Sequence, residues 1–490
     1  MTDTPKARKD LAKSPRGFPD KREGLIQAEQ DMIQRVTSVY RQWGFEALDT
    51  GAFEFADSLG KFLPDADRPN EGVFALQDDD DAWMALRYDL TAPLARFAAE
   101  NWQTLPKPFR RYAAGSVWRN EKPGPGRYRE FLQCDADTVG AGGVHADAEM
   151  IAMAAEAMRA AGVDTGEFQI RVNTRRLLNG VLEDVGATDD AAKLIILRAL
   201  DKLDRLGTDG VALLLGEGRL DESGDFTKGA GLEKAQIEQV LAFAEAGRAT
   251  RAETIEALGT AAGTSEEAKA GLGELQGIEA ALNALGVPAS DVAFDPSIVR
   301  GLEYYTGCVF EAELLKETVD ENGAAVRIGS VGGGGRYDDL VARFTGERVP
   351  ATGFSVGISR LASALALTGI ETELLGPVVV LNLNKEDPSV GLSLTSELRT
   401  AGMRAEMYMG SSGMRPQMKY ADRRGSPAVV IVGGDELEKG TVTIKDLKVG
   451  AAKAAAIKSN EEWREVRPGQ VEVPRGDMVA TIRGILEASD

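Results

Sequence analysis

The chain has one histidine and two cysteines in 490 residues. His145 lies in GAGGVHADAE, a loop running into a helix, and reads as a solvated surface residue. Ser-His-Asp hydrolysis and His-based metal sites therefore drop out as explanations, and no resident metal is expected. Cys134 and Cys308 give neither a disulfide framework nor a metal-ligand spacing, which fits a reducing compartment. No apolar run approaches the roughly 20 residues that a bilayer span needs. The opening MTDTPKARKDLAKSPRG lacks the apolar centre of a secretion signal. The expectation is a cytoplasmic protein without a membrane segment, with a flexible tail over residues 1–15. A GxxxxGK[ST] phosphate loop is missing as well. VGGGGRYDDL, residues 331–340, supplies glycines but no Lys-Ser/Thr and no strand-loop-helix setting. Nucleotide chemistry here would have to run on arginines, carboxylates and backbone dipoles.

What is present is enough for two or three folded domains: 43% of the residues are hydrophobic. The net charge of −20 is unevenly spread. From Gly376 onward there are 16 basic and 16 acidic side chains, so the first 375 residues carry the whole excess. An acidic body repels nucleic acid at long range, so such a partner would need local basic surfaces and would bind with marked salt dependence.

Residues 16–184 alternate helical and extended patterns. GLIQAEQDMIQRVTSVYRQWGF has helical apolar spacing and stops at Gly44; FRRYAAGSVWRN and RYREFLQCDADTVG are two extended arms joined by a Gly/Pro turn. Residues 185–288 read as an inserted helical module outside the core, with hardly an aromatic. Strand character returns at YYTGCVFEAEL, AVRIGSVGGGG and TGFSVGI, so 16–184 with 289–368 predicts an α+β core, antiparallel strands with helices outside. After a linker near GIETELLGP, residues 376–490 alternate strand and helix, which predicts a mostly parallel sheet; beyond about 455 the pattern reads as a linker and a final short helix. In GMRPQMKYADRRG, Arg415, Lys419 and Arg423 fall at i, i+4 and i+8 on one helix face, with Arg424 beside it. On charge alone that face reads equally well as a solvated surface.

Three arginines stand out: Arg119 at the end of an arm, Arg300 in SIVRGLEYYTG, and Arg360 where a strand turns into a helix in GFSVGISRL. A guanidinium stays charged, forks onto two oxygens and stacks on planar rings, which suits triphosphate and carboxylate recognition. Each could also be an ordinary ion pair.

WRNEKPGPGRYREF resembles motif 2 of class II aminoacyl-tRNA synthetases, and TGFSVGISRL resembles their motif 3. RGLEYYTGCVFE, GGGGRYDDL and RYDLTAPLARF are similar to signatures of histidyl-tRNA synthetases, and the last domain resembles that family's anticodon-binding module. These motifs run in the family's order from 16 to about 450. The resemblance implies a class II antiparallel core and a ligase that activates L-histidine with ATP, Mg2+ accompanying the phosphates, then charges tRNA(His), as a homodimer. It implies Arg119 on the α-phosphate, Glu121 on the adenine amino group, Phe131 and Arg360 around the adenine, and Arg127 at the outer phosphates. Arg300 would bridge the histidine carboxylate and the α-phosphate. Asp137 and Tyr305 would meet the two ring nitrogens, with Tyr304 and Tyr337 nearby, and Asp89, Thr91 and Gln133 would hold the α-amino group. Arg415, Lys419, Arg423 and Arg424 become anticodon-side contacts. For the tyrosines, core packing remains the competing account.

Three departures matter. EALDTGAFEFADSLGKF lacks the proline of motif 1, which the dimer contact usually uses; Ser359 stands where a glutamate commonly precedes the motif 3 arginine; and the hairpin tip KPGPG lacks the polar side chains with which many members read an extra 5′ guanosine of the tRNA. Two other readings stay open: a catalytically inactive paralogue that regulates ATP phosphoribosyltransferase, and a class II synthetase for threonine, proline or glycine.

Overall fold

The computed structural model describes residues 12–59, 72–124, 126–187, 189–220, 224–299, 305–319, 325–367, 375–384, 387–449 and 469–488. The chain divides into two compact units, residues 1–371 and 372–490.

The first unit is built on an eight-stranded sheet: β1 (Glu46–Ala47), β2 (Phe109–Trp118), β3 (Glu130–Val139), β4 (Phe168–Thr174), β5 (Val292–Phe294), β6 (Cys308–Val319), β7 (Ala325–Arg336) and β8 (Ala351–Gly357). Their spatial order is β1-β2-β3-β8-β7-β6-β4-β5. The two edge pairings are parallel and the five between them antiparallel. The arms β2 and β3 pair in unbroken register from Phe109 opposite Val139 to Trp118 opposite Glu130. At the tip, Gly124 and Arg127 exchange backbone hydrogen bonds of 2.9 and 3.2 Å.

The first-unit helices used below are α1 (Glu23–Gln42), α2 (Thr91–Asn101), α3 (Val144–Ala160), α4 (Arg175–Asp184), α5 (Asp190–Leu200), α6 (Leu203–Leu215), α7 (Lys234–Ala244), α8 (Arg251–Ala261), α9 (Glu266–Ala284) and α10 (Ile358–Leu367). Helix α1 buries Met32, Val36, Val39 and Tyr40, one stripe at helical spacing, and releases the chain at Gly44, whose φ is +83°. The alanines of α3 keep its buried flank thin enough to lie close on the sheet; Ala148, Ala152, Ala154 and Ala155 are all enclosed.

The stretch 185–288 departs from the expectation of a module outside the core. Ile196, Leu197, Val240, Phe243, Leu275, Ile278 and Leu282 belong to the same hydrophobic cluster as the sheet residues Phe168, Ile170 and Phe310. Glycines permit the contact: a Cβ at Gly271 would come within 2.6 Å of the Leu177 backbone, and one at Gly180 within 2.6 Å of Ala268. Glycine inside a helix reads as weak propensity until its neighbour is known. The stretch also holds a hairpin, Gly218–Leu220 against Phe226–Lys228.

The second unit is a five-stranded sheet of β9 (Val378–Val380), β10 (Ala405–Met407), β11 (Ala428–Ile431), β12 (Thr441–Asp446) and β13 (Gln470–Pro474), in the order β10-β9-β11-β12-β13. Three strands are parallel, and β12 and β13 are antiparallel, so the sheet is mixed rather than mostly parallel. Both faces are covered, which is why the central strands are unbroken apolar runs: Val378 and Val380 pack with Leu394 and Ile482, Val379 and Leu381 with Ala421. The helices are α11 (Ser389–Thr400), α12 (Met414–Arg423) and α13 (Met478–Glu487). Residues 450–468, where a linker is expected, lie outside the described residues; after them comes a strand that the pattern did not show, and then the expected final helix, whose Met478 and Ile482 complete this core.

Candidate functional site

A strand projects every second side chain to the same face. On β3 this puts Phe131, Gln133, Asp135 and Asp137 in one row, about 7 Å apart. Their directly opposite neighbours decide what is above each. Gln133 lies between Gly115 of β2 and Gly357 of β8, and Asp135 between Ala113 and Ser355. Small neighbours leave a trough over these two residues. Asp137 lies between Arg111 and Gly353, and there the trough closes. The Arg111 guanidinium stands 3.0 Å from the Asp137 carboxylate, both fully buried, and the Tyr337 hydroxyl donates to the other carboxylate oxygen. A Cβ at residue 353 would come within 1.9 Å of Asp137 Oδ1, so glycine is required there.

The resulting cleft has a volume of about 600 Å³. Its walls gather Asp89, Thr91, Arg119, Glu121, Arg127, Phe131, Gln133, Tyr305 and Arg360, nine residues that the sequence patterns nominated from separate stretches. Asp137 and Tyr337 are not among the residues that line it; the Asp137 carboxylate lies against its cross-strand neighbour Arg111 and accepts from the Tyr337 hydroxyl. Arg300 and Tyr304 lie outside the described residues.

At the open end the groups are long and partly solvated. The Arg119 guanidinium lies over the rings of Tyr88 and Phe131, 4.3 and 5.2 Å from their centroids, and its Nε donates to the Tyr88 carbonyl at 3.3 Å. The Tyr88 hydroxyl donates to Glu121 at 3.1 Å, and burial raises its pKa. Arg360, in the first turn of α10, donates to the Ile328 carbonyl at 2.8 Å. The residue before it, Ser359, is buried and donates to Glu29 at 2.6 Å while accepting from the Leu132 amide at 3.0 Å and from Lys21 at 3.2 Å. Glu29 thus brings a carboxylate from α1 to this point, and Ser359 fixes the backbone beside Phe131.

At the closed end the groups are short and enclosed. The Ser355 hydroxyl donates to Asp135 Oδ1 at 2.5 Å. Among the described residues, the buried atoms Gln133 Oε1, Asp135 Oδ2 and Asp137 Oδ2 have no hydrogen-bond partner, although Asp137 Oδ2 has the Arg111 guanidinium 3.0 Å away. Burial, then the neighbouring Asp137, pushes the Asp135 carboxyl up to about 7, against the pull of Arg111 and Ser355. Burial and the nearby carboxylates Asp137, Asp135 and Asp89 raise the Tyr305 phenol, which keeps it a proton donor. Asp89 Oδ1 accepts from the amides of Thr91 and Ala92, at 3.2 and 2.9 Å, capping α2. The glycine run forms part of β7, and Gly332, Gly333 and Gly334 line the cleft as strand. A Cβ at Gly334 would come within 2.3 Å of the Gly353 carbonyl oxygen and 2.5 Å of the Phe310 ring, so the glycine serves close strand packing, not a phosphate loop.

Tyr88, Arg111, Asp135, Ser355, Glu29 and Lys21 were not nominated by motif. A count by twos from Phe131 along the arm finds Asp135; nothing local in the sequence marks Glu29 or Ser355.

In the second unit, Arg415, Lys419 and Arg423 are exposed on α12, as their spacing predicts. The helix is held by Gln417, whose buried amide bonds the backbone of Asn382 and Ser412, all at 2.8 Å. Arg424 ion-pairs with Glu406 at 3.0 Å.

Comparison with known proteins follows the same division. A family model described as Histidyl-tRNA synthetase matches residues 17–361, and one described as Anticodon binding domain matches residues 377–467. A histidine–tRNA ligase of Caulobacter vibrioides is 60% identical over 478 residues, 97% of each chain. One from Brucella ovis is 54% identical over 490 residues, 99% of this chain and 97% of that one. The crystal structure of a histidyl-tRNA synthetase from Nostoc superposes with a TM-score of 0.72 at 28% identity, covering 96% of this chain and 99% of the other.

Proposed function

The chain belongs to the histidyl-tRNA synthetase family, its activity is the ATP-driven attachment of histidine to tRNA, and from that premise we propose which residues perform each part. The observation that carries the proposal is the single cleft in which a cationic, ring-lined end meets an acidic, enclosed one.

In the first step the histidine carboxylate attacks the α-phosphorus of ATP and pyrophosphate leaves. No protein nucleophile is needed; the protein's task is to hold two anions together and to stabilise charge as it develops. Arg119 grips the α-phosphate, Phe131 and Arg360 enclose the adenine, Glu121 accepts from its amino group, and Arg127 meets the outer phosphates. Arg300 bridges carboxylate and α-phosphate, a role carried by its motif alone. Mg2+ travels with the triphosphate. Among the described residues no group of three His, Cys, Asp or Glu side chains is placed to hold a metal, so that ion would take most of its ligands from phosphate and water. Gln133, Asp89 and Thr91 hold the α-ammonium, and Tyr305 donates to a ring nitrogen. In the second step the terminal adenosine of tRNA(His) takes the histidyl group, while Arg415, Lys419 and Arg423 contact the anticodon side.

A second copy of the chain is proposed to cover the small sheet of Phe53–Phe55, Ala75–Gln77 and Trp83–Leu86, which leaves Phe55 58% and Trp83 46% exposed. Among the described residues no helix is long and apolar enough to cross a membrane; the cytoplasm, where tRNA and ATP are, is the proposed location. The deciding experiment is amino-acid-dependent exchange of pyrophosphate into ATP. Exchange with histidine supports this reading, exchange with threonine, proline or glycine replaces it, and silence with all of them favours the regulatory paralogue.

A further inference from the structure

We propose that Glu29 is a positioning residue for the nucleotide: from α1 its carboxylate anchors Ser359 and Lys21, and through them it sets the two walls between which the adenine is taken. The proposal rests on the adenylation reading above and concerns a residue that is not among those lining the cleft.

Ser359 stands where a glutamate commonly precedes the motif 3 arginine. The place is nevertheless supplied with a carboxylate, which comes from α1 instead of α10. Glu29 is 2% exposed, and both of its oxygens accept from the Lys21 ammonium at 2.8 Å. Its Oε1 also accepts from the Ser359 hydroxyl at 2.6 Å, and Lys21 donates to that same hydroxyl at 3.2 Å. Glu29, Lys21 and Ser359 thus form a closed triangle of bonds, two of its sides charge-assisted at the carboxylate.

Two arms run from the triangle to the cleft. The first is Ser359 itself, which precedes Arg360 in the chain and accepts from the amide of Leu132, the residue after Phe131, at 3.0 Å. Arg360 and Phe131, the proposed adenine neighbours, both line the cleft. The second arm is the segment that carries Lys21. Four residues earlier the Gly17 carbonyl accepts from the Arg129 amide at 2.8 Å. The Arg129 carbonyl accepts from the Arg119 amide at 2.9 Å, and its Nε donates to the Glu121 carbonyl at 3.0 Å. Gly17 has a φ of +90°, and a Cβ there would come within 2.8 Å of Arg129 Cγ, so this close approach requires glycine.

The segment from Gly17 to Lys21 is therefore laid along the hairpin arm and tied at its far end to the start of α10. Glu29 is the buried group that makes the tie: without it an ammonium and a buried hydroxyl lose their common acceptor. Long side chains such as Arg119 and Arg360 hold a ligand in place only as well as their backbones are held, and this triangle holds both. Its effect falls on the nucleotide and not on the amino acid, because the bonds end at Phe131, Arg360 and the hairpin.

The experiment is histidine-dependent pyrophosphate exchange by the full chain. E29A is expected to raise the KM for ATP about 10-fold while the KM for histidine stays within about twofold. The double variant E29A/S359E restores a carboxylate from the α10 side, and its two side chains together differ from the parent pair by one hydroxyl oxygen. It should return the KM for ATP to within about threefold of the parent, which a role in packing alone would not produce. An ATP KM within about twofold of the parent in E29A overturns the proposal, as does a rise shared equally by ATP and histidine, or a folded double variant without recovery. Should either variant lack a cooperative thermal transition, K21M decides, since Lys21 is only partly buried. A several-fold rise in the KM for ATP alone supports the proposal there, and no change or a shared rise overturns it. Absence of histidine exchange by the parent chain would instead sink the functional reading, so the two failures are distinguishable.

Discussion

The two ends of the cleft solve opposite problems. The end proposed to take the nucleotide has long cations on flexible stems, Arg119, Arg127 and Arg360, which reach in from a strand end, a hairpin arm and a helix start. The end proposed to take the amino acid has short acids set directly on a strand, with backbone and small residues as walls. Charge development in adenylate formation is large and spread over several oxygens, which suits adjustable guanidinium groups. Selection of one side chain requires groups that cannot adjust, and burial on β3 supplies that. The difference teaches that one cleft can hold adjustable cations at one end and fixed, enclosed carboxylates at the other.

The comparison breaks most severely if the floor of the closed end is disturbed. Arg111→Leu leaves Asp137 charged and enclosed, and is expected to cost ~3–5 kcal/mol of stability. Thermal unfolding should show the loss, and replacing Asp137 by Asn in the same chain should recover part of it. If the single change is silent, the closed end is not held by this pair.

Next in size is Arg119→Ala. It removes a group from the open end and should lower turnover by about 100-fold or more, corresponding to ~2.7–4 kcal/mol of barrier, with little change in melting temperature. Arg119→Lys should recover little, because an ammonium lacks the planar fork and stacks poorly between Tyr88 and Phe131. Equal loss of stability and rate would erase the distinction between the two ends.

A pH series sharpens the contrast. The Asp135 carboxyl stands near 7 in the folded chain against 3.8 in the unfolded one. Between these values the folded state keeps a proton that the unfolded state has released, so stability falls as pH rises through about 4 to 7 and levels off above. Asp135→Asn should flatten that slope relative to the parent in melting temperatures measured across the window. The groups facing Asp135 are Asp137, Arg111, Ser355 and Asp89, and an unchanged slope would assign the pH dependence to the others.

The smallest effect belongs to the second unit. Lys419→Ala should weaken tRNA binding a few-fold and lower the salt slope by about 1, leaving pyrophosphate exchange untouched. With the tip KPGPG, charging of transcripts that lack the extra 5′ guanosine should remain close to that of transcripts that carry it; a strong loss would refute this.

How far the sequence discloses this arrangement differs between the ends. Arginines at the ends of elements sit in recognisable local strings, so Arg119 and Arg360 are legible, and period-two counting on the arm RYREFLQCDADTVG places Gln133. Asp135 and Asp137 are equivalent by that count. What separates them is the residue across the ladder: Ala113 or Arg111 on the neighbouring hairpin arm, and Ser355 or Gly353 on a strand more than 200 residues away, whose register no local window shows. The helices of 185–288 mislead for a related reason: low aromatic content and glycines suggest a detached module, whereas the glycines admit α9 against α4 in the common core.

By itself the sequence determined the local conformations, the charge division and the groups available for chemistry, because propensity, periodicity and side-chain type are properties of short windows. The tertiary structure decided that Asp135 lines the cleft while Asp137 lies against Arg111. Burial and exposure to the cleft belong to neighbours that the chain meets only when the sheet closes, and they set the surroundings in which each aspartate stands.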